Sequence, residues 1–295
     1  MNWDFIYRGE TKNLDAATRK TATSGSFIKL SDGYTHYELG GAVRGQKVVL
    51  IHGFSVPYFI WEPTFQSLVS AGFRVLRYDL YGRGYSDRPH LNYDINLFVR
   101  QLRDLLDGLQ FQQVDLIGLS MGGAIASAFS VHLPQRVRQL VLIDPIGVLP
   151  IPLSLLYKAA ILPGISELIL GLVGTEEFIS GLSTDFFDPT YVKLFQDQYR
   201  TQMQIKGSKR AILSTLRNKT VNGFPKIYEQ LGKLRTPIML LWGQNDQTLP
   251  LEQSDSLLKL ISPAEFHIIE NCGHIPNYER PEIVNPTLIN FLMQK

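Results

Sequence analysis

A single cysteine, Cys272, stands in the whole chain, so no intrachain disulfide can form, and a reducing compartment is compatible with it. Neither sign of charge dominates. Twenty-nine Lys and Arg face 27 Asp and Glu, a formal net charge of +2. That balance supplies no field for a nucleic-acid backbone, and no dense basic run adds one. No long uninterrupted apolar run occurs either. The most apolar stretch, 146–174, is broken by Pro150, Pro152, Lys158, Pro163 and Glu167, and no uncharged span within it reaches the length of a membrane helix. The opening residues, MNWDFIYRGETKNL, lack the basic start and apolar core of a secretory signal. The expectation is a soluble, cytoplasmic protein with no nucleic-acid partner; contact with a membrane surface stays open. No group of His, Cys and carboxylates has metal-ligand spacing, so neither a metal nor an organic cofactor is expected.

What is present fits a large α/β core. The chain has 295 residues, 44% of them hydrophobic, enough for one large domain or two small ones. Residues 1–25 are polar and irregular and read as an arm. Residues 27–30 and 34–39 flank the turn signal Ser31-Asp32-Gly33 and predict a hairpin. Lys47–His52, Phe73–Asp79, Val114–Leu119, Val137–Ile143 and Ile238–Trp242 are short apolar runs rich in β-branched residues, as expected of strands buried on both faces. Glu265–Ile269 is a weaker run of the same kind. Helical patterns lie between them. The clearest is 94–110, with Phe98, Leu102, Leu105, Leu106 and Leu109 on one face and Asp94 or Asn96 as its cap. Strand–helix alternation of this kind implies a mostly parallel sheet with helices on both faces. It breaks after Ile143 and resumes after Thr236-Pro237. The expected organisation is a core of 1–147 and 225–295 with a helical insertion over 148–224.

One short segment carries chemistry. Gly118-Leu119-Ser120-Met121-Gly122 follows a predicted strand and precedes an Ala-rich helix. A serine that attacks a carbonyl must project into a cleft, meet a general base and lie beside donors for the oxyanion. A sharp strand-to-helix turn provides the projection, and glycines two residues either side of the serine relieve the crowding it creates. By itself such a pentapeptide arises by chance in roughly one in ten chains of this length. The strand before it and the helix after it make it specific.

GLSMGG (118–123) resembles the nucleophile elbow of the α/β-hydrolase superfamily. Three other regions resemble the same superfamily in the right order: HGF (52–54), DLYGRGYSDRP (79–89), and GQNDQTLP (243–250) with NCGHIPNYERP (271–281). The resemblance implies the α/β-hydrolase fold with an inserted helical cap, and Ser120 as the nucleophile. The family order of nucleophile, acid, base selects His274 as base from six histidines. His267 lies inside a strand, His132 closes a helix, and His36 and His90 read as surface residues. The resemblance implies Asp246 as the acid, with Asp144, at the end of the preceding strand, as its rival. Asp79 is implied to be structural. The backbone N–H groups of Phe54 and Met121 are implied to form the oxyanion hole, which makes His52 a loop-shaping residue. Tyr58 and Trp61, just after the HGF loop, either line the substrate pocket or pack. Cys272 reads as a small buried residue.

Dehalogenases and epoxide hydrolases of this fold carry aspartate at the elbow, so Ser120 points to acyl transfer. The resemblance is to esterases and monoacylglycerol-type lipases, which implies a carboxylic ester, lipid-like in character, as the small-molecule substrate. A hydrolase of carbon–carbon bonds in diketone-like substrates shares the same elbow and partners and is the alternative. A perhydrolase, an aminopeptidase, or a small-molecule receptor on the same scaffold with slow turnover also stays open. The Leu/Ile-rich start of the insertion either shields an acyl chain, rests on a lipid surface, or faces the core of an ordinary lid.

Overall fold

The alternation of apolar runs resolves into one eight-stranded sheet. In the computed structural model, which describes residues 7, 9–20, 22, 24–149, 176–261 and 263–294, the strands are β1 (Ser26–Leu30), β2 (Gly33–Gly40), β3 (Lys47–Ile51), β4 (Arg74–Tyr78), β5 (Val114–Leu119), β6 (Val137–Ile143), β7 (Ile238–Gly243) and β8 (Glu265–Ile269). Their order across the sheet is β1-β2-β4-β3-β5-β6-β7-β8. The β1–β2 hairpin is antiparallel, as is the β2–β4 pairing, and every pairing from β4 through β8 is parallel. The central strands β5 and β7 are buried at every residue, which is why they read as unbroken apolar runs. β8 is an edge strand with Glu265 and Ile268 exposed, and this explains its weaker pattern.

Helix Ile95–Gly108 begins where Asp94 Oδ1 accepts the Leu97 N–H at 2.9 Å, so Asp94 and not Asn96 is the cap. It buries Leu97, Phe98, Leu102, Leu105 and Leu106. Helix Met121–His132 follows β5 directly and is buried from Met121 through Ser130. It packs against the sheet, helix Ile95–Gly108 and helix Pro225–Leu231. A helix covered on so many sides has no polar stripe to show.

The insertion expected over 148–224 is described at 148–149 and 176–224. Helices Glu176–Gly181, Thr190–Gln202 and Ser208–Arg217 lie between β6 and β7, and none of the eight strands falls there. Residues 150–175, which hold most of the apolar stretch, lie outside the described residues. The arm is more ordered than its composition suggests. It carries a short helix, Ala16–Lys20, and Lys12 bridges to Ile205. Buried Glu10 accepts the Gly207 and Lys209 N–H groups, each at 2.7 Å. No helix of the described residues is long and apolar enough to cross a membrane.

Candidate active site

Ser120 sits between β5 and helix Met121–His132 with φ 54° and ψ −118°, a conformation that costs a non-glycine residue of order 1–3 kcal/mol. Backbone hydrogen bonds hold it there. Its N–H donates to Ile143 O at 2.9 Å, and its carbonyl accepts from Gly123 N at 3.0 Å and Ile146 N at 3.1 Å. The neighbouring glycines are needed for space. A Cβ on Gly118 would strike the Gly122 backbone, and one on Gly122 would strike the Ile51 and His52 carbonyls. One on Gly123 would lie 2.7 Å from Pro145 Cβ. Strand, turn and helix therefore meet at a separation only glycine permits. Met121 supplies the first N–H of the helix, which has no intrahelical acceptor.

The HGF loop passes beside the serine. A Cβ placed on Gly53 would lie 3.3 Å from Ser120 Cβ and 3.8 Å from its Oγ. His52 shapes this loop with both ring nitrogens. Nδ1 donates to Gly53 O at 2.9 Å, and Nε2 accepts the Leu80 N–H at 2.9 Å. Burial pushes its pKa down to about 4, so the ring is neutral. Arg83 Nε donates to Phe54 O at 2.8 Å.

On the far side of the sheet's centre, the loops after β7 and β8 bring Asp246 and His274 together. His274 Nδ1 and Asp246 Oδ2 are 2.6 Å apart, both residues being buried. Asp246 Oδ1 accepts the Thr248 and Leu249 N–H groups at 2.8 Å each. Burial opposes charging of His274, but the Asp246 carboxylate outweighs it, with a further contribution from Asp185, and the net shift is upward from 6.5. No hydrogen bond joins Ser120 Oγ to His274. Both are 5% exposed, and such contacts commonly tighten only with substrate bound.

Asp144, the rival acid, does not pair with His274. It closes β6 with φ 39°, and its Oδ1 accepts the Gly243 N–H at 2.9 Å. One oxygen of Asp144, one of Asp246 and a His274 nitrogen lie within 4.8 Å of one another. Complete burial and the adjacent Asp246 charge push the Asp144 pKa well above the ordinary carboxylate range. Burial and the neighbouring carboxyl thus both disfavour a charge on Asp144.

Two acids escaped sequence reasoning. Glu279 is buried and accepts four donors: the Phe187 and Asp188 N–H groups on Oε1, each at 2.8 Å, the Gly273 N–H on Oε2 at 2.7 Å, and the Cys272 thiol at 3.5 Å. Asp185 joins the same junction. Its carbonyl accepts the His274 N–H at 2.8 Å, and its Oδ1 accepts the Thr248 hydroxyl at 2.7 Å. The segment 185–188, between β6 and β7, is thus fastened to the loops that carry Asp246 and His274. Glu279 lies inside the NCGHIPNYERP motif, five residues after His274, so its position was visible though its role was not. Cys272 is fully buried, and desolvation, with Glu279 nearby, raises its pKa so that the thiol stays protonated.

The remaining histidines sort by contact. The expectation that His36 is a surface residue is corrected, since it is 2% exposed. Its Nδ1 meets Asp79 Oδ2 at 2.9 Å and its Nε2 meets Ser24 O at 2.9 Å. β2 is flanked on that side by residue 24 and Tyr58, which leaves the ring no path to solvent. Asp79 also accepts the Tyr58 N–H at 3.0 Å and the Tyr85 N–H at 2.9 Å, a structural post. Tyr58 stacks on His36 with ring centroids 5.0 Å apart and bonds Ser24 Oγ through its hydroxyl at 3.0 Å. Of the two roles open to it, packing is what its contacts provide. Trp61 is fully buried in the hydrophobic core. His90 and His132 are exposed, and His267 pairs with Glu265 at 2.7 Å along edge strand β8.

Comparison with known proteins agrees with this fold. Residues 48–287 match the profile of the alpha/beta hydrolase family. A 2-hydroxy-6-oxo-2,4-heptadienoate hydrolase of Pseudomonas putida is 28% identical over 243 residues, covering 78% of this chain and 83% of that protein. A carboxylesterase of Bacillus subtilis is 25% identical over 270 residues, covering 90% and 86% respectively. The crystal structure of an enol-lactonase from Burkholderia xenovorans superposes with a TM-score of 0.78 at 21% identity, covering 91% of this chain and all of that one. With its elbow, its sheet order and a profile match over most of its length, the chain belongs to the alpha/beta hydrolase family.

Proposed function

We propose that this hydrolase cleaves carboxylic esters through an acyl-enzyme on Ser120, with His274 as general base and Asp246 as its acid. The observation that carries the reading is the 2.6 Å contact between His274 Nδ1 and Asp246 Oδ2 at the mouth of the elbow strands. Ser120 Oγ attacks the carbonyl carbon as His274 Nε2 takes its proton. The oxyanion is held by the Phe54 and Met121 amides. His274 then protonates the leaving alkoxide, and the ester C–O bond breaks. Water, deprotonated by His274, releases the acid and restores Ser120. Asp246 orients the imidazole through Nδ1, while two backbone N–H groups fix its other carboxylate oxygen.

A second reading has a specific support. The P. putida relative is named for a substrate that contains an enol, a ketone and a carboxylate but no ester. Hydrolysis of such a compound must break a carbon–carbon bond, and the same serine, base and oxyanion donors serve that reaction. The B. subtilis relative is named a carboxylesterase, so the relatives support both readings. Segment 148–224 is proposed as the acyl-binding cap in either case.

The discriminating experiment offers the protein a series of p-nitrophenyl esters of increasing acyl length beside a 2-hydroxy-6-oxodienoate. The proposal expects turnover of the esters with an optimum in chain length, and a slower reaction or none on the dienoate. Folded protein that cleaves the dienoate and no ester would replace the first reading with the second.

A further inference from the structure

The loop Gly82–Pro89 docks on helix Ser208–Arg217 over a broad front. A Cβ on Gly82 would lie 2.5 Å from Ala211 Cβ. Arg210 reaches back to the Arg88 and Pro89 carbonyls at 2.7 and 3.1 Å. A little further along the chain, Tyr93 N donates to Ser214 Oγ at 3.1 Å. Within this joint Arg83 is the residue that turns inward. It is 3% exposed. Its Nε donates to Phe54 O at 2.8 Å, and its Nη1 donates to Thr215 Oγ1 at 3.0 Å. Thr215 spends its own proton on Ala211 O at 2.8 Å, so a lone pair is left facing the guanidinium. The Arg83 Cζ also lies 5.2 Å from the Phe54 ring centroid and 5.8 Å from that of Phe98.

No carboxylate pairs with this cation among the described residues, and its Nη2 has no hydrogen-bond partner. Arg77 is neutralised by Glu38 and Glu62 and Arg138 by Asp115, whereas Arg83, like its neighbour Arg88, is held by carbonyl and hydroxyl oxygens. A desolvated guanidinium without a counter-ion costs several kcal/mol. An apolar side chain of similar volume would fill the space more cheaply but could not hold the Phe54 carbonyl. The peptide that Arg83 holds lies immediately after the Gly53–Phe54 peptide, which runs past Ser120.

We propose that Arg83 is a positioning residue: it sets the Phe54 amide for the oxyanion and ties that setting to the docking of helix Ser208–Arg217 through Thr215. Substrate need not touch it. Phe54 is held from two sides, its carbonyl by Nε and its ring by the face of the guanidinium. A shift of the helix moves Thr215, then Arg83, then the loop, so the oxyanion donor is well placed only while the helix is seated.

The inference rests on the proposed reading of Phe54 as an oxyanion donor. Its test compares wild type, Arg83→Lys, Arg83→Met and Thr215→Val in the full chain. Turnover of a p-nitrophenyl ester is followed, together with binding of an alkylboronic acid, which forms a charged tetrahedral adduct on serine, and of the product carboxylic acid, which does not. Active sites are counted by fluorophosphonate titration. Arg83→Met is expected to lower kcat by about 10- to 100-fold with KM changed less than about threefold, and to weaken boronate binding by the same factor. Product binding is expected to stay unchanged. Arg83→Lys, which cannot hold carbonyl and threonine together, is expected to recover part of the loss. Thr215→Val, a gentler change if the Arg83 variants do not fold, is expected to move kcat and boronate affinity the same way by about two- to tenfold. Equal kcat and boronate affinity per titrated site, with only the melting temperature lowered, would make Arg83 a purely structural residue and overturn the proposal. Wild type that takes up fluorophosphonate and boronate but cleaves no ester would overturn the ester reading alone, and boronate affinity would still decide the role of Arg83.

Discussion

His274 has one aspartate that pairs with it and one that does not. Asp246 meets its Nδ1 and two backbone N–H groups, whereas burial and the neighbouring Asp246 push the Asp144 carboxyl well above the ordinary carboxylate range. The raised pKa of His274 then has two consequences of opposite sign. In the proposed mechanism the neutral imidazole is the base, so kcat/KM is expected to rise with pH along a limb centred above 6.5. The protonated ring is favoured by the fold, so its contribution to stability is complete below 6.5 and is lost as pH rises through the higher folded value. Asp246→Asn is expected to move the kinetic limb downward and to lower kcat by about a thousand- to ten-thousandfold. Asp144→Asn removes no charge and is expected to stay within about threefold of wild type with an unmoved limb. A pH–rate profile of the three proteins checks this, and a large loss in Asp144→Asn would identify Asp144 as the acid.

At the scale of elements, the loops matter more than the strands, and they were read less completely. The strand runs were legible because parallel strands buried on both faces have no polar alternation to hide them. The elbow was legible because its glycines stand where backbones touch. Asp94 as one of two candidate caps and the hairpin turn within Ser31-Asp32-Gly33 are legible for similarly local reasons. The roles of Glu279, Asp185 and Arg83 were not, because each depends on pairing across a long stretch of sequence. Glu279 bonds Phe187 and Asp188 from 91–92 residues away, and no local pattern announces such a contact. The burial of His36 is hidden for the same reason, since it depends on Asp79, Tyr58 and Tyr85, which lie far along the chain. Glu279→Gln leaves one acceptor and turns the other into a donor facing N–H groups. It is expected to cost about 2–3 kcal/mol in urea denaturation and to loosen the loop bearing His274, with kcat falling more than KM rises. An unchanged denaturation midpoint would show that the junction between segment 185–188 and the base loop carries little energy.

For the molecule as a whole, the sheet is a rigid plate that presents the ends of β3, β5, β6, β7 and β8 at one edge. Ser120, the HGF loop, Asp144, Asp246 and His274 all follow those strand ends. That placement agrees with the general rule that open α/β sheets bind ligands beyond the carboxyl ends of their strands. The segment between β6 and β7 is fastened to this edge at Glu279, beside His274, and at Arg83, beside Phe54. The motifs all surround the edge, and 148–224 carries none. The central claim is that Ser120 is the nucleophile that His274 activates. Incubation with a fluorophosphonate, followed by peptide mass spectrometry, tests it most directly. One phosphonyl group per chain is expected, on Ser120, absent from Ser120→Ala and strongly slowed in His274→Ala. Labelling at another residue, or uptake unchanged in Ser120→Ala, would contradict it.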